Sequence, residues 1–181
     1  PKHKKINENT IPRNPKYYGK SKIECEKKII QFSNKEKINY TILRLPAILG
    51  KNIKNNFISN MFEKIIKNQN VNIFNINQKF NNIIHVNTLV KIVHDIIFNE
   101  KKNSNYLIGS KYPLKVKTIM NMVRQQFSKK VKFNIIKSKN KNFILDNKKI
   151  LKKKFDIIST KNTILEEIRN LKKKYREKND R

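Results

Sequence analysis

Apolar residues recur at helical spacing in five stretches of the chain. Phe57, Met61 and Ile65 lie at intervals of four residues, which predicts a helix. The same kind of pattern predicts four further helices, over 18–33, 89–97, 115–127 and 162–178. We expect Asn87 or Thr88 to cap the helix that begins near 89, because their side-chain oxygens accept from free backbone amides. Its six apolar residues are expected to be buried: Leu89, Val90, Ile92, Val93, Ile96 and Ile97.

Shorter apolar and β-branched runs between these helices predict strands. Residues 39–45 are expected to form a buried parallel strand, and residues 71–74 alternate between apolar and polar positions, as in a half-buried strand. A strand is also predicted near 131–136, and an apolar run at 143–146 precedes a short helix. Residues 1–16 are polar and contain two prolines, which predicts a loop.

The chain is strongly basic, with a formal net charge of +30 over 181 residues. Its cations are mostly Lys, 37 against six Arg, and they are spread along the whole chain. Specific nucleic-acid surfaces tend to use Arg and interleaved aromatic residues. This composition therefore predicts weak, salt-sensitive binding to polyanions rather than a specific nucleic-acid partner.

Cysteine, histidine and apolar content exclude several kinds of protein. Cys25 is the sole cysteine, which rules out an internal disulfide and fits a reducing compartment; we expect it to be buried. Three histidines without a cysteine cluster make a structural zinc site improbable, and no other metal site is predicted. No apolar run approaches the ~18 residues of a membrane span, so a cytoplasmic protein without a membrane partner is expected.

Residues 15–26 combine a helix start with side chains suited to proton transfer. Pro15 ends the preceding loop, and Tyr18 and Lys22 lie four residues apart, on one face of the predicted helix. An ammonium beside a phenol lowers the pKa of the phenol, which is about 10 when free, so Tyr18 is a candidate general acid or base. In so Lys-rich a chain, however, about one such pair is expected by chance.

The neighbours of this pair distinguish it from a chance occurrence. With Gly19, Ser21 and Glu26 included, the segment resembles the Tyr-Gly-x-Ser-Lys-x-x-x-Glu signature of the extended short-chain dehydrogenase/reductase family. This family comprises the NAD-dependent epimerases and dehydratases of nucleotide sugars. The resemblance implies that Tyr18 takes or returns the proton of a sugar hydroxyl. It implies that Lys22 lowers the pKa of Tyr18 and holds the nicotinamide ribose.

Two later segments extend the resemblance. Residues 44–50 resemble the family segment Arg-x-Pro-x-x-x-Tyr-Gly, which implies that Pro46 contacts the cofactor and Ala47 the substrate. Residues 80–89 resemble the family segment Arg-Asp-Phe-Ile-His-Val-Asp-Asp-Leu, with Asn81 where many members place an Arg that meets the substrate diphosphate.

The substrate residues that the resemblance implies are Ala47, Asn56, Lys79 and Asn81. Since Asn81 is neutral, either a cation such as Lys79 or Lys51 meets the diphosphate, which we favour, or the substrate lacks a diphosphate. His85, in the second segment, is expected to be a hydrogen-bonded structural residue rather than a catalyst.

The resemblance implies an α/β fold in two parts. Residues 1–50 would be the last part of an NAD(P)-binding Rossmann domain, and residues 51–181 mostly a small α+β substrate lobe, with a return strand and helix near 81–98. The implied cofactor is NAD or NADP, the implied substrate a nucleotide sugar, and a homodimer of the complete protein is left open.

Glycine content limits what this chain is expected to do alone. Its only glycines, Gly19, Gly50 and Gly109, lie too far apart to form the Gly-rich turn that receives a pyrophosphate, so we expect an incomplete and inactive portion of such an enzyme. The rival hypothesis is a non-catalytic remnant whose Lys-rich surface binds polyanions.

Overall fold

The fold is seen in a computed structural model that describes residues 4–12, 14–51, 53, 56–126, 132–137 and 143–179. Within these residues six helices and ten short strands follow one another. The helices are α1 (Tyr17–Glu36), α2 (Phe57–Ile66), α3 (Val86–Asn99), α4 (Val116–Arg124), α5 (Lys148–Leu151) and α6 (Thr160–Asn179). The strands are β1 (Lys4–Ile6), β2 (Thr41–Arg44), β3 (Ala47–Leu49), β4 (Val71–Phe74), β5 (Lys79–Phe80), β6 (Ile83–His85), β7 (Ser104–Leu107), β8 (Leu114–Lys115), β9 (Phe133–Ile136) and β10 (Phe143–Leu145).

Parallel pairing dominates the strands of the described residues. β2 pairs with β7, β3 with β6, β4 with β9 and β1 with β10, all in parallel, whereas β5 and β8 are antiparallel. Parallel strands need crossover connections, and helices supply several of them here. The α/β class predicted from the sequence is confirmed. The helix predicted over 115–127 ends at Phe127, and the strand predicted near 131–136 begins at Val131. Both residues lie outside the described residues.

The N-terminal segment contains a strand where the sequence predicts only a loop. Lys4–Ile6 forms β1, and Ile6 lies opposite Leu145 of β10. The segment has no alternating pattern of its own, and its strand conformation comes from pairing with a strand about 140 residues later. Such tertiary pairing leaves no local signal.

Helix α3 differs from its sequence prediction in both its cap and its burial. Its N-cap is His85, whose Nδ1 accepts from the backbone N–H of Asn87, so neither Asn87 nor Thr88 is the cap. Of the six apolar residues expected to be buried, only Ile92 and Ile96 are buried. The outward face is exposed: Val90, Val93, Ile97 and Phe98.

Two apolar cores hold the chain together. The first core packs α2, β4, α4 and α6 together, and we call the part of the fold around it the lobe. Phe62, Ile73 and Ile119 within it have no exposed surface. The second core packs α3 and α5 against β6 and β7, with Ile92 and Tyr106 at its centre. Among the described residues, no helix is long and apolar enough to cross a membrane.

Helix α1 lies largely outside both cores. Of its 20 residues, Ser33 alone is buried, and Cys25, expected to be buried, is exposed. The helix ends at Lys37, which adopts a left-handed conformation and donates its N–H to the carbonyl of Ser33. A hydrogen bond from the backbone N–H of Ile38 to the same carbonyl directs the chain into β2.

Candidate active site on the first helix

The start of α1 is shaped by the residues around Tyr18. A Cβ on Gly19 would lie 3.0 Å from the Cβ of Pro15, so glycine at this position lets the proline ring pack against the first turn. Ser21 Oγ donates to the carbonyl of Tyr18 at 2.8 Å. Gly19 and Ser21 therefore have local structural roles that fix the backbone on both sides of Tyr18.

Tyr18 and Lys22 lie together, as their spacing predicts. The Nζ atom of Lys22 is 5.2 Å from the centroid of the Tyr18 ring, within the range of a cation–π contact. The Tyr18 side chain is 75% exposed. The pair is thus a phenol with an adjacent ammonium, open to a ligand from outside the chain.

A half-buried ion pair ties α1 to the end of β2. Arg44 donates from Nε and Nη2 to the two carboxylate oxygens of Glu26, at 2.9 and 2.6 Å. Arg44 Nη1 also donates to the carbonyl of Glu8, and the Glu8 carboxylate accepts the N–H of Leu107, the last residue of β7. The Glu26 carboxylate raises the pKa of Arg44 above its usual value.

The Glu26–Arg44 ion pair sets the orientation of the face of α1 that carries Tyr18. Tyr18, Lys22 and Glu26 lie at intervals of four residues, on one face of α1. Glu26 meets Arg44 at the carboxyl end of β2, and Tyr18 lies about 12 Å further along the helix axis, given a rise of ~1.5 Å per residue. Ligands of α/β proteins bind beyond the carboxyl ends of the strands, where this face lies.

Sequence reasoning missed the network itself. It named Glu26 and Arg44 as parts of two motifs but did not connect them, because 18 residues separate them. Their opposite charges, on a helix and on the strand that follows it, were the available signal.

The predicted contact residues around β3 lie in different environments. Pro46 is half-buried between β2 and β3, and Ala47 is exposed on β3 opposite Ile83. Asn56 is the N-cap of α2: its Oδ1 accepts from the N–H of Ser59 at 2.9 Å. Asn56 is only 8% exposed, and its Nδ2 has no hydrogen-bond partner in the described part of the chain. Among the predicted contact residues around β3, Asn56 therefore has a side-chain amide that is available to donate a hydrogen bond.

Asn81 and Lys79 also have defined positions. Asn81 is buried; its Nδ2 donates to the carbonyls of Ser110 and Leu145, and its Oδ1 accepts the N–H of Leu145. These bonds join the β5–β6 turn to β10, so the side chain is engaged in structure, and its contact with a substrate stays a prediction. Lys79 is exposed on β5, where its direct partner on β8 is Lys115.

His85 is buried and hydrogen-bonded, as a structural residue is expected to be. Its Nδ1 lies 3.1 Å from a carboxylate oxygen of Glu166, and its Nε2 lies 3.1 Å from Nδ2 of Asn170. Burial lowers the pKa of His85, and the Glu166 carboxylate opposes that effect. The ring therefore joins the start of α3 to α6.

The residues of this chain fit the nicotinamide end of a dinucleotide cofactor but not its pyrophosphate. Tyr18 and Lys22 offer the groups that would face a nicotinamide ribose and a reacting hydroxyl. The three glycines, however, face protein: added Cβ atoms would meet Pro15 at Gly19, Val86 at Gly50 and Leu145 at Gly109. None of them offers open backbone to a pyrophosphate.

Comparison with solved structures shows the same fold at low sequence identity. UDP-glucuronic acid 4-epimerase from Bacillus cereus, solved with NAD, is 16% identical with a TM-score of 0.80; the match covers 97% of this chain and 58% of that one. UDP-N-acetylglucosamine 4-epimerase from Bacillus cereus is 22% identical with a TM-score of 0.69; the match covers 90% of this chain and 57% of that one. RMD from Pseudomonas aeruginosa, solved with NADPH, is 14% identical with a TM-score of 0.73; the match covers 90% of this chain and 58% of that one.

This chain thus spans less than three fifths of the length of these structural relatives. No curated protein matches its sequence. Residues 2–131, most of the chain, match the model of the RmlD substrate-binding domain family. The chain belongs to the RmlD substrate-binding domain family.

Proposed function

We propose that this chain is the catalytic-helix and substrate-binding part of an NAD(P)-dependent enzyme that epimerises, dehydrates or reduces a nucleotide sugar. The observation that carries the proposal is the Tyr18–Lys22 pair, exposed beyond the carboxyl end of β2 and fixed by the Glu26–Arg44 ion pair. The names of the structural relatives support this class of substrate and cofactor. Because the chain spans only part of those relatives, the activity is proposed for the complete protein.

The chemistry assigned to this chain is proton transfer. NAD or NADP, when bound, supplies the hydride acceptor and donor. The Tyr18 phenolate takes the proton of the sugar hydroxyl as that carbon is oxidised, and the phenol returns it on reduction. Lys22, 5.2 Å from the centre of the ring, would donate to the nicotinamide ribose. Pro46 would contact the nicotinamide and Ala47 the sugar.

Substitution of Tyr18 tests this role. In the complete protein, Tyr18→Phe should lower kcat by about 10²- to 10⁴-fold, since general acid/base groups contribute about that much, with cofactor affinity retained. Lys22→Ala should reduce both kcat and cofactor affinity. Tyr17→Phe is the matched control, because Tyr17 is the neighbouring tyrosine and is even more exposed. If Tyr18→Phe keeps more than about a tenth of the kcat, the acid/base role is wrong.

The substrate diphosphate is assigned to exposed lysines rather than to Asn81. Asn81 is neutral and fully engaged with backbone groups. Lys79 is exposed and lies directly opposite Lys115 on β8, so two cations are adjacent on this strand pair. Lys51, in the turn after β3, is the second candidate.

Substitution of these lysines tests the substrate class. Lys79→Ala and Lys51→Ala should raise KM for a UDP- or dTDP-sugar about tenfold or more, as expected for losing a hydrogen bond to a charged group. Lys35→Ala, at the far end of α1, should leave KM unchanged. If neither substitution weakens nucleotide-sugar binding, or no nucleotide sugar binds, this substrate class is wrong.

Asn56 provides a further substrate donor. Its Oδ1 caps α2 while its buried Nδ2 has no partner in the described ranges, so Nδ2 can donate to a sugar or phosphate oxygen. Asn56→Asp keeps an oxygen for the cap and removes this donor. We expect a KM increase of about tenfold with an unchanged melting temperature; an unchanged KM contradicts the assignment.

A basic polyanion-binding protein is the second candidate, favoured by the net charge of +30. Binding of that kind weakens steeply with salt and does not depend on Tyr18. Titration with heparin at two salt concentrations, in the parent protein and in Tyr18→Phe, separates the candidates. Activity abolished by Tyr18→Phe supports the enzyme; salt-sensitive binding without any turnover supports the alternative.

A further inference from the structure

The carboxylate of Glu8 takes the place of a strand partner at the end of β7. The backbone N–H groups of Ser104 and Ile108 donate to carbonyls of Tyr40 and Arg44, on the β2 side. Alternate residues of a parallel strand bond to the same neighbour, so the N–H of Leu107 points away from β2. Among the described residues β7 pairs with β2 alone, and this N–H donates to Oε1 of Glu8 at 3.0 Å. Leu107 is buried, so its N–H needs such an acceptor.

The backbone carbonyl of Glu8 contacts the guanidinium that binds Glu26. Arg44 Nη1 donates to this carbonyl at 2.8 Å, while Nε and Nη2 bind the Glu26 carboxylate. All three guanidinium nitrogens are therefore engaged, and a rigid planar group held from two sides has a defined orientation. Glu26 lies on the same face of α1 as Tyr18, so the orientation of Arg44 affects where Tyr18 lies.

A compact turn presents Glu8 to both partners. The N–H of Thr10 donates to the carbonyl of Asn7 at 3.0 Å, and the N–H of Asn7 donates to Oγ1 of Thr10 at 2.9 Å. Strand β1, directly before this turn, pairs with β10. The segment 4–10 is thus bonded to β10, β7 and the end of β2 before the chain enters α1.

We infer that Glu8 is a positioning residue for proton transfer by Tyr18. Its carboxylate holds the turn on β7, and its carbonyl then orients Arg44, which holds α1 through Glu26. The inference rests on the proposed function and deepens it. A displacement of about 1 Å can cost a reaction about 10²-fold, so a small movement of α1 should lower kcat more than it weakens substrate binding.

The rival interpretation is that Glu8 only stabilises the fold. Both interpretations predict a lower melting temperature for Glu8→Ala, because the buried N–H of Leu107 loses its acceptor. Positioning alone predicts that the folded protein holds α1 less precisely and turns over more slowly at each site. The position of α1 and the kcat per site are therefore the measurements that separate the two interpretations.

Two substitutions of Glu8 and one matched control are needed. Glu8→Ala removes the acceptor of the Leu107 N–H and keeps the backbone carbonyl. Glu8→Gln keeps a side-chain oxygen that can accept the same N–H. Asn103→Ala is the control, because Oδ1 of Asn103 accepts the N–H of Tyr40 at 3.1 Å. It removes the same kind of bond, from a side-chain oxygen to a backbone N–H, at the opposite end of the β2–β7 pair.

Spin labels measure the position of α1 without turnover. Cys25 is exposed on α1 and is the sole cysteine of the chain, and Lys64→Cys gives a second exposed label on α2 in the lobe. In Glu8→Ala, the distribution of distances between the two labels should broaden by about 1.5-fold or more, because α1 is less firmly attached. Glu8→Gln and Asn103→Ala should keep the original width. An unchanged width in Glu8→Ala overturns the inference, as does equal broadening in Asn103→Ala.

Kinetics of the complete protein give the second readout. In Glu8→Ala, kcat per cofactor-binding site should fall at least about tenfold, with KM for a UDP- or dTDP-sugar within about twofold. Glu8→Gln should recover most of this kcat, and Asn103→Ala should leave it unchanged. A lower melting temperature with an unchanged kcat per site would mean that Glu8 only stabilises the fold, which overturns the inference.

The two readouts keep the inference and the proposed function apart. A complete protein that turns over no nucleotide sugar counts against the proposed function. Broadening in Glu8→Ala that is absent from Glu8→Gln still supports Glu8 as the residue that positions α1. Turnover that depends on Tyr18 but not on Glu8 supports the proposed function and overturns the inference.

Discussion

The lobe and the α1–β2 region differ in how completely their helices are buried. Helix α2, in the lobe, has ten residues and buries five of them, with Phe62 fully inaccessible. Helix α1 has twice that length and buries only Ser33. Both have apolar residues at helical spacing, so the periodicity that forms a helix does not by itself determine what covers it.

Polar residues show the same contrast. In the lobe, Asn81, Asn147 and Thr160 are buried and bonded to backbone groups, so they hold elements together. In the α1–β2 region, Tyr18 and Lys22 are exposed and contact each other. The buried polar residues of the lobe therefore join elements of the fold, whereas Tyr18 and Lys22 are open to a ligand.

The sharpest test compares one phenylalanine from each region. Phe62→Ala should lower the free energy of unfolding by about 3–5 kcal/mol, because it leaves a cavity in the first core. Phe32→Ala, at a side chain that is 57% exposed, should change it by less than about 0.5 kcal/mol. Urea unfolding measures both. Equal losses would mean that α1 is covered in the chain alone, and the contrast drawn here would fail.

Sequence reasoning worked best where the signal was local. The apolar spacing of α2, the alternation in β4 and the shared face of Tyr18 and Lys22 all depend on residues within a few turns or pleats of one another. The structure agrees with each of them.

The missed features depend on residues far apart in the chain. The pairing of β1 with β10 and the Glu26–Arg44 ion pair arise from tertiary contact. The His85 cap of α3 went unrecognised because histidine is an uncommon N-cap residue. The exposure of Val90 and Ile97 reflects the absence of a covering element in the described ranges, which periodicity cannot reveal.

Substitution of Asn81, in the lobe, should have the next largest effect on the free energy of unfolding. Asn81→Ala removes two donated bonds and one accepted bond, and it leaves the buried N–H of Leu145 without that partner. We expect a loss of about 2–3 kcal/mol in the free energy of unfolding. Neighbouring Asn82→Ala is the control, because its buried Oδ1 has no partner in the described part of the chain. Equal effects would show that Asn81 does not hold the β5–β6 turn to β10.

The ion pair near β2 should have a smaller effect. Glu26→Gln removes the carboxylate from Arg44, and both side chains are about a quarter to a third exposed, so solvent screens the attraction. We expect a loss of about 1 kcal/mol in stability, and a larger proportional loss of kcat in the complete protein because α1 is no longer fixed to β2. Glu24→Gln is the matched control, because the Glu24 carboxylate pairs with exposed Lys27 at 3.6 Å.

The smallest expected effect is a pH dependence that arises from His85. Burial lowers the pKa of His85 in the folded state, whereas the unfolded chain keeps a value of about 6.5. As the pH falls below that value, the unfolded chain takes up a proton that the folded ring resists, so the free energy of unfolding decreases. Above it the ring is neutral in both states and contributes no slope.

The decrease on acidification should be less than about 1.4 kcal/mol per pH unit, the limit for one proton. His85→Asn should flatten the dependence between about pH 5 and 6.5, because an amide oxygen can still accept from the helix start but does not titrate. His94→Asn is the control, since the His94 side chain is 68% exposed. An unfolding free energy that falls just as steeply in His85→Asn would mean that other groups cause the dependence. It would leave His85 as a hydrogen-bonded link between α3 and α6 without a role in pH sensitivity.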